Sequence, residues 1–325
     1  MSPSLSTIVF LLCIHLLNAK FTEDFNNFLT ITYGAGMQQQ LERNDLGNDG
    51  SFGGRSTPGE VLPRRAVILV HGITNKATTF RGVADHFVSK GYLQSELYAT
   101  TWGDAGKTKI PLVSLNCAYV KQVRNLIIAV RQYTGQQVDV IGYSMGSPVA
   151  RKAILGGYCV DTRENLGAPL TDMVDTFIGV AGANYGSALC IIPIPGTCNQ
   201  QNGLSCGSQF LTDINRQSRY EGRHIYAIYS TGDDVVGYQT CGQVASAIPG
   251  MDGGVQKTGL KHNDVVLHTS EEQYQFIVNR SGGTVGQPPV AAGGGGGGGA
   301  AGTIQTLQKV IGGASGIAGF LQRLG

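Results

Sequence analysis

Residues 138–147 constrain this chain more than any other stretch. A β-branched run beginning at Val138 ends in Gly142-x-Ser144-x-Gly146, and a helix-compatible segment follows. That is the sequence form of a sharp strand-to-helix turn that lifts a serine hydroxyl above a sheet. The two glycines suit such a turn because neighbouring backbone comes too close for a Cβ. A helix starting just after Ser144 aims free N–H groups at negative charge forming beside it.

The pentapeptide alone is weak, because the chain has 48 glycines and about 19 serines among 325 residues; chance supplies roughly 0.4 matches. A second match surrounds Ser205, between Gly203 and Gly207. Polar Asn199, Gln200, Gln201 and Asn202 precede it in place of an apolar strand, and Cys206 sits inside it. Context therefore selects Ser144 and makes Ser205 a decoy.

The rest of the body alternates in type. Strand-like runs fit residues 66–70, 97–102, 138–141, 174–181 and 224–230, and helical spacing fits 76–89, 116–134, 148–155 and 271–279. Strands that are apolar throughout and separated by helices predict an α/β fold, a mostly parallel sheet covered on both faces. A serine needs an imidazole to take its proton, and the imidazole needs a carboxylate behind it. In this architecture the order is Ser, then Asp or Glu, then His. His71 and His86 precede Ser144, and His224 begins a strand on the wrong edge of the sheet. That leaves His262, in a loop before the last helix, with His268 as the alternative beside the expected cap at Thr269. Asp233 lies in a turn just past the strand 224–230, with Asp234 as its rival. The expected oxyanion donors are the backbone N–H of Met145 and of Ile73, in the loop after His71-Gly72.

The ends of the chain read differently from its body. Residues 7–17 are almost entirely apolar and Leu17-Asn18-Ala19 resembles a small-residue cleavage site, so residues 1–19 are expected to be a secretory signal peptide, too short an apolar run to span a bilayer. With Cys13 in that leader, Cys117, Cys159, Cys190, Cys198, Cys206 and Cys241 remain. An even count in a secreted chain favours three disulfides with 15 possible pairings, and short loops favour Cys190 with Cys198 and Cys206 with Cys241, leaving Cys117 with Cys159. No Cys-x-x-Cys or paired His spacing supports a metal site. Asn279-Arg280-Ser281 is a glycosylation sequon. Residues 282–302 are Gly-rich and read as a linker, and residues 303–325 as an amphipathic or disordered tail, leaving 20–281 as the catalytic domain. A net charge of +2 gives no reason to expect nucleic acid. Arg64-Arg65 reads as the solvated start of a strand.

Four ordered blocks then carry a family resemblance: Val67-Ile68-Leu69-Val70-His71-Gly72, the stretch 96–103 ending in Trp102-Gly103, Val140 to Gly146, and Gly179-Val180-Ala181-Gly182-Ala183-Asn184-Tyr185-Gly186. Together they resemble the secreted class 2 lipases. The resemblance implies an α/β-hydrolase fold with a compact lipase-type core and carboxylester hydrolysis of acylglycerols or other lipid esters. Ser144, Asp233 and His262 would be its nucleophile, acid and base, and the chemistry needs no cofactor. An acyltransferase or phospholipase with the same triad, or a silent lipid-binding protein, is the alternative. The loop Cys190-Ile191-Ile192-Pro193-Ile194-Pro195 either walls or lids an acyl groove and offers a contact with a lipid–water interface, or packs against its own domain.

Overall fold

A computed structural model describes residues 20–191 and 194–280. The expected signal peptide, linker and tail, together with Ile192, Pro193 and Ser281, lie outside the described residues. In chain order the elements are α1 (Glu23–Tyr33), α2 (Ala35–Glu42), β1 (Ser51–Phe52), β2 (Val67–Val70), α3 (Arg81–Ser89), β3 (Leu97–Thr100), α4 (Cys117–Thr134), β4 (Val138–Tyr143), α5 (Gly146–Leu155), β5 (Val174–Val180), α6 (Gln209–Asn215), β6 (His224–Ser230), β7 (Gln239–Thr240), β8 (Gln243–Val244), β9 (Gly253–Lys257), α7 (His262–His268) and α8 (Ser270–Asn279).

The main sheet has the order β1-β3-β2-β4-β5-β6-β9. It is parallel except for β1, which runs antiparallel to β3. Successive residues of its central strands point to opposite faces and both faces are buried. Ile68, Val70, Val140 and Phe177 join one apolar cluster with Phe25, Leu29, Val123, Ile127 and Val149 from α1, α4 and α5. Val67, Leu69, Ile141 and Ile178 join the other with Val83, Phe87, Val265 and Phe276 from α3, α7 and α8. Double-sided burial explains why these strands read as continuous apolar runs.

Local signals act where expected. The Asn116 side chain accepts the Tyr119 N–H and opens α4, and Gly135 closes it at φ 72°. The helix expected over 76–89 is divided into a 3-10 turn, Ala77–Phe80, and α3. His262 is not in a loop. It is the first residue of α7, because the Lys261 carbonyl already receives the Asp264 and Val265 amides. Thr269 does precede α8, but its hydroxyl donates to the Val265 carbonyl and makes no side-chain cap.

The three disulfides are Cys117–Cys159, Cys190–Cys198 and Cys206–Cys241, the last two being the pairs that loop length favours and the first the pair left over. No helix of the described residues is long and apolar enough to cross a membrane.

Arg64 and Arg65 depart from the solvated reading. Arg64 lies over the Tyr92 ring, and Arg65 reaches Asp175 at 2.8 Å and Asp139 at 3.6 Å. Both carboxylates are buried near the N-terminal ends of β5 and β4, where Arg280 also meets Asp175 at 3.0 Å. Burial outweighs the Arg65 charge at Asp139, and the Asp175 carboxylate adds repulsion, so the Asp139 carboxyl is pushed up to about 7. A folded state that holds a proton the unfolded chain releases near pH 4 is most stable below that pH, and loses this contribution as pH rises through about 7. Asp139→Asn is therefore expected to flatten the pH dependence of urea unfolding between pH 4 and 7 by up to about 1.4 kcal/mol per pH unit. Identical slopes for variant and parent would refute this.

Candidate active site

Ser144 stands between β4 and α5 with φ 55°, a conformation rare for a residue with a side chain. Such a residue costs about 1–3 kcal/mol and persists only where its surroundings leave no alternative. Here the Ser144 N–H donates to Val180 O at 2.9 Å, and Gly146 brings α5 against the end of β2. A methyl on Gly146 would sit 2.2 Å from His71 O, and one on Gly142 would sit 2.7 Å from the Ser147 Cα.

Strand order brings residues 118 positions apart into contact. Ser144 Oγ lies 2.8 Å from His262 Nε2, and His262 Nδ1 lies 2.8 Å from Asp233 Oδ2. A carboxylate only accepts, so Nδ1 carries the proton and Nε2 is left to accept the Ser144 hydroxyl. The other Asp233 oxygen accepts the amides of Val235, Val236 and Gly237 at 3.0, 2.9 and 3.2 Å. Burial opposes ionisation of Asp233, but the His262 imidazole and these amides outweigh it and hold the carboxyl below its usual value. Asp234 has a different place: it accepts the backbone N–H of His262 at 3.2 Å. His268 ends α7, and His224 stands at the start of β6. The Ser205 hydroxyl is buried and donates to Cys198 O.

The loop after β2 passes over Ser144. A methyl on Gly72 would lie 2.8 Å from the Ser144 Cβ. Among the described residues, the Ile73 and Met145 amides donate to no other group of the protein. His71 anchors this loop. Its Nδ1–H donates to Gly72 O at 2.7 Å, and its Nε2 accepts the Trp102 amide at 3.0 Å. The Trp102 indole donates back to His71 O at 2.9 Å, and the two rings stack 4.8 Å apart. Complete burial depresses the His71 imidazole to about 4, so it is neutral as this bonding requires.

Cys117, Cys159 and Asp161 have the mutual closeness of metal ligands. The two sulfurs are bonded to each other, however, and Asp161 accepts the Cys117 amide, so no thiolate is on offer.

A family model described as "Lipase (class 2)" matches residues 64–275, well over half of the chain. The chain belongs to the class 2 lipases. Membership of that family implies an esterase or lipase type of hydrolase with a lipid ester substrate. No curated protein matches the chain significantly. Among solved structures, the propeptide form of Bacillus licheniformis lipase BlEst2 is similar at TM-score 0.50 and 11% identity, over 75% of this chain and 55% of that one. The mature form of BlEst2 is similar at TM-score 0.48 and 12% identity, over 70% and 96%. Aspergillus fumigatus lipase B is similar at TM-score 0.47 and 14% identity, over 74% and 67%. At these identities the likeness concerns the fold.

Two contacts of the class 2 lipase site escaped sequence reasoning. Tyr143, directly before Ser144, lays its ring 5.1 Å from the His262 ring and donates its hydroxyl to Asn263 Oδ1 at 2.8 Å. Trp102, quoted only as part of a block, is the partner of His71. Nothing in spacing points to either, because both are meetings of segments far apart in the chain. His71→Phe would keep the stack but leave the buried Trp102 amide without an acceptor. It is expected to cost about 1–3 kcal/mol in urea unfolding, and unchanged stability would refute the anchoring role.

Proposed function

We propose that this class 2 lipase is a secreted serine esterase that cleaves acylglycerols or other lipid esters through an acyl-enzyme. One observation carries the reading: the unbroken chain of two 2.8 Å contacts from Ser144 Oγ through His262 to Asp233. It supports the following steps. Ser144 Oγ attacks the ester carbonyl carbon while its proton passes to His262 Nε2. The carbonyl oxygen, now negative, sits between the amides of Ile73 and Met145, which are fixed and already unpaired. The carbon–oxygen bond to the alcohol breaks as Nε2 returns the proton to the departing oxygen. A water then attacks the acyl carbon, gives a proton to Nε2, and the acid leaves as that proton returns to Ser144. Asp233 holds the imidazole in the required tautomer and stabilises it when charged.

Secretion is supported by the apolar leader at residues 1–19 and by three disulfides, which suit an oxidising compartment. Asn279 is exposed at the end of α8, where a glycan on its sequon has room. The catalytic domain is taken as residues 20–281, followed by the linker at 282–302 and the tail at 303–325.

Ser144→Ala is expected to abolish labelling by a fluorophosphonate probe and to lower kcat on p-nitrophenyl esters by about 10³–10⁶. Labelling that survives this substitution would sink the reading. Asp233→Asn is expected to lower kcat by about 10³–10⁴, and Asp234→Asn by less than about tenfold. The reverse ranking, read by the same assay, would move the acid to Asp234.

A further inference from the structure

The loop after β2, which carries the Ile73 amide, is held through two hydrogen bonds between His71 and Trp102, just past the end of β3. What holds Trp102 comes from the start of the chain. α2 ends at Arg43, whose φ of 55° turns the backbone out of the helix. The turn that follows folds back tightly. Leu46 donates its amide to Arg43 O at 2.9 Å, and a methyl on Gly50 would lie 2.3 Å from that same oxygen. β1 then pairs with β3, Ser51 opposite Thr100 and Phe52 opposite Ala99.

This fold-back aims the Arg43 guanidinium at the two carbonyls that flank Trp102. Its Nη1 donates to Thr101 O at 2.6 Å and to Gly103 O. Asp45 takes the other side of the fork at 2.8 and 2.7 Å, and the Arg43 side chain is left only 13% exposed. Thr101 O also accepts Gln122 at 3.0 Å, whereas Gly103 O has no other donor among the described residues. The same segment grips Thr101 elsewhere: its N–H donates to Gly50 O at 2.7 Å and its hydroxyl to Asp49 O. Trp102, between the clamped carbonyls, is buried. The Arg43 charge also reaches His71. Burial is the main cause of that imidazole's neutrality, and the nearby cation pushes the same way. A protonated His71 cannot accept the Trp102 amide.

We propose that Arg43 is a positioning residue for ester cleavage: by clamping the carbonyls on either side of Trp102, it seats the loop that presents the Ile73 amide to the oxyanion. The inference rests on the esterase reading and adds a residue from outside the stretch 64–275 that matches the class 2 lipases. A planar guanidinium suits the task, because one rigid fork fixes several acceptors at once. An oxyanion donor acts only when aimed at the place where charge develops, so a loosened seat lowers kcat and leaves KM nearly unchanged.

The test compares the full chain with Arg43→Gly, which suits the positive φ and leaves a gap the size of a guanidinium, and with Arg43→Lys, which keeps the charge without the fork. Turnover of a p-nitrophenyl ester is expressed per active site, counted by exhaustive fluorophosphonate labelling. Trp102 is the only tryptophan of the chain, so acrylamide quenching of its fluorescence reads the seat directly. Arg43→Gly is expected to lower kcat per labelled site by about 10–100-fold, with KM within about threefold of the parent. Quenching of Trp102 should rise by about twofold or more as its surroundings loosen. Added methylguanidinium is expected to reverse both changes in part, whereas a variant that had merely lost stability would be loosened further by that cation. Arg43→Lys should fall between parent and Arg43→Gly in both readouts. Parental kcat per labelled site, unmoved quenching, or losses that methylguanidinium does not relieve would overturn the proposal. A parent that takes no label and hydrolyses no ester, with Trp102 loosened by Arg43→Gly and reseated by the cation, would uphold the clamp and sink the esterase reading alone.

Discussion

The backbone of α5 lies against the end of β2 with no room for a side chain between them. At Gly146 the nearest atom to an added methyl would be the His71 carbonyl oxygen, at 2.2 Å. Only with the helix that close must the chain turn through φ 55° at Ser144, directly above the sheet edge. The same His71 carbonyl accepts the Trp102 indole, so the helix, the loop after β2 and the loop after β3 share one anchor. Strain at Ser144 is thus sustained by packing that cannot relax locally, which is the condition under which a costly backbone conformation persists.

What the sequence made legible follows from what is local. The β4–Ser144–α5 turn, the cap at Asn116 and the strand limits 224–230 are set by neighbours within a few residues, and the structure places them there. Chain order together with strand-then-turn placement led to Asp233 and His262, the two side chains that lie in line with Ser144. The unread parts depend on partners far away. β9 has the polar sequence Gly253-Gly254-Val255-Gln256-Lys257, and is a strand only because β6 lends it a ladder from Tyr226 to Ser230. α1 and α2 precede the first strand, where no strand–helix alternation announces them, and α1 is held by Phe25 and Leu29 against the sheet. His262 was expected in a loop because α7, at 7 residues, is too short for an apolar period to reveal it.

Behind Ser144, α5 is fixed by polar groups that the core encloses. Ser147 donates to Asn184 Oδ1 at 2.9 Å, Asn184 accepts Asn215 on its carbonyl at 2.8 Å, and Arg151 donates to Asn215 at 2.9 Å and to Glu221 at 2.9 Å. Arg151 and Glu221 are both fully buried. A buried ion pair contributes little net stability, because desolvation of both charges offsets most of their attraction. Its effect here is directional: an apolar helix back could slide against its neighbours, whereas a guanidinium that donates to Glu221, Asn215 and the Ile214 carbonyl admits one seating of α5.

That fixed seating matters because a hydrogen-bonded relay tolerates little error in position. Ser144 is carried by β4 and α5, Asp233 by the turn after β6, and His262 by the first turn of α7, so three separate elements must meet within hydrogen-bond range. Each has its own restraint: the Gly146 contact for Ser144, three backbone amides for Asp233, and the Tyr143 ring with the Asp234 carboxylate for His262. None of these restraints is an exposed ion pair, whose geometry salt and water would loosen. The sheet supplies the common frame, and its two-sided burial gives the three loops a rigid edge from which to converge.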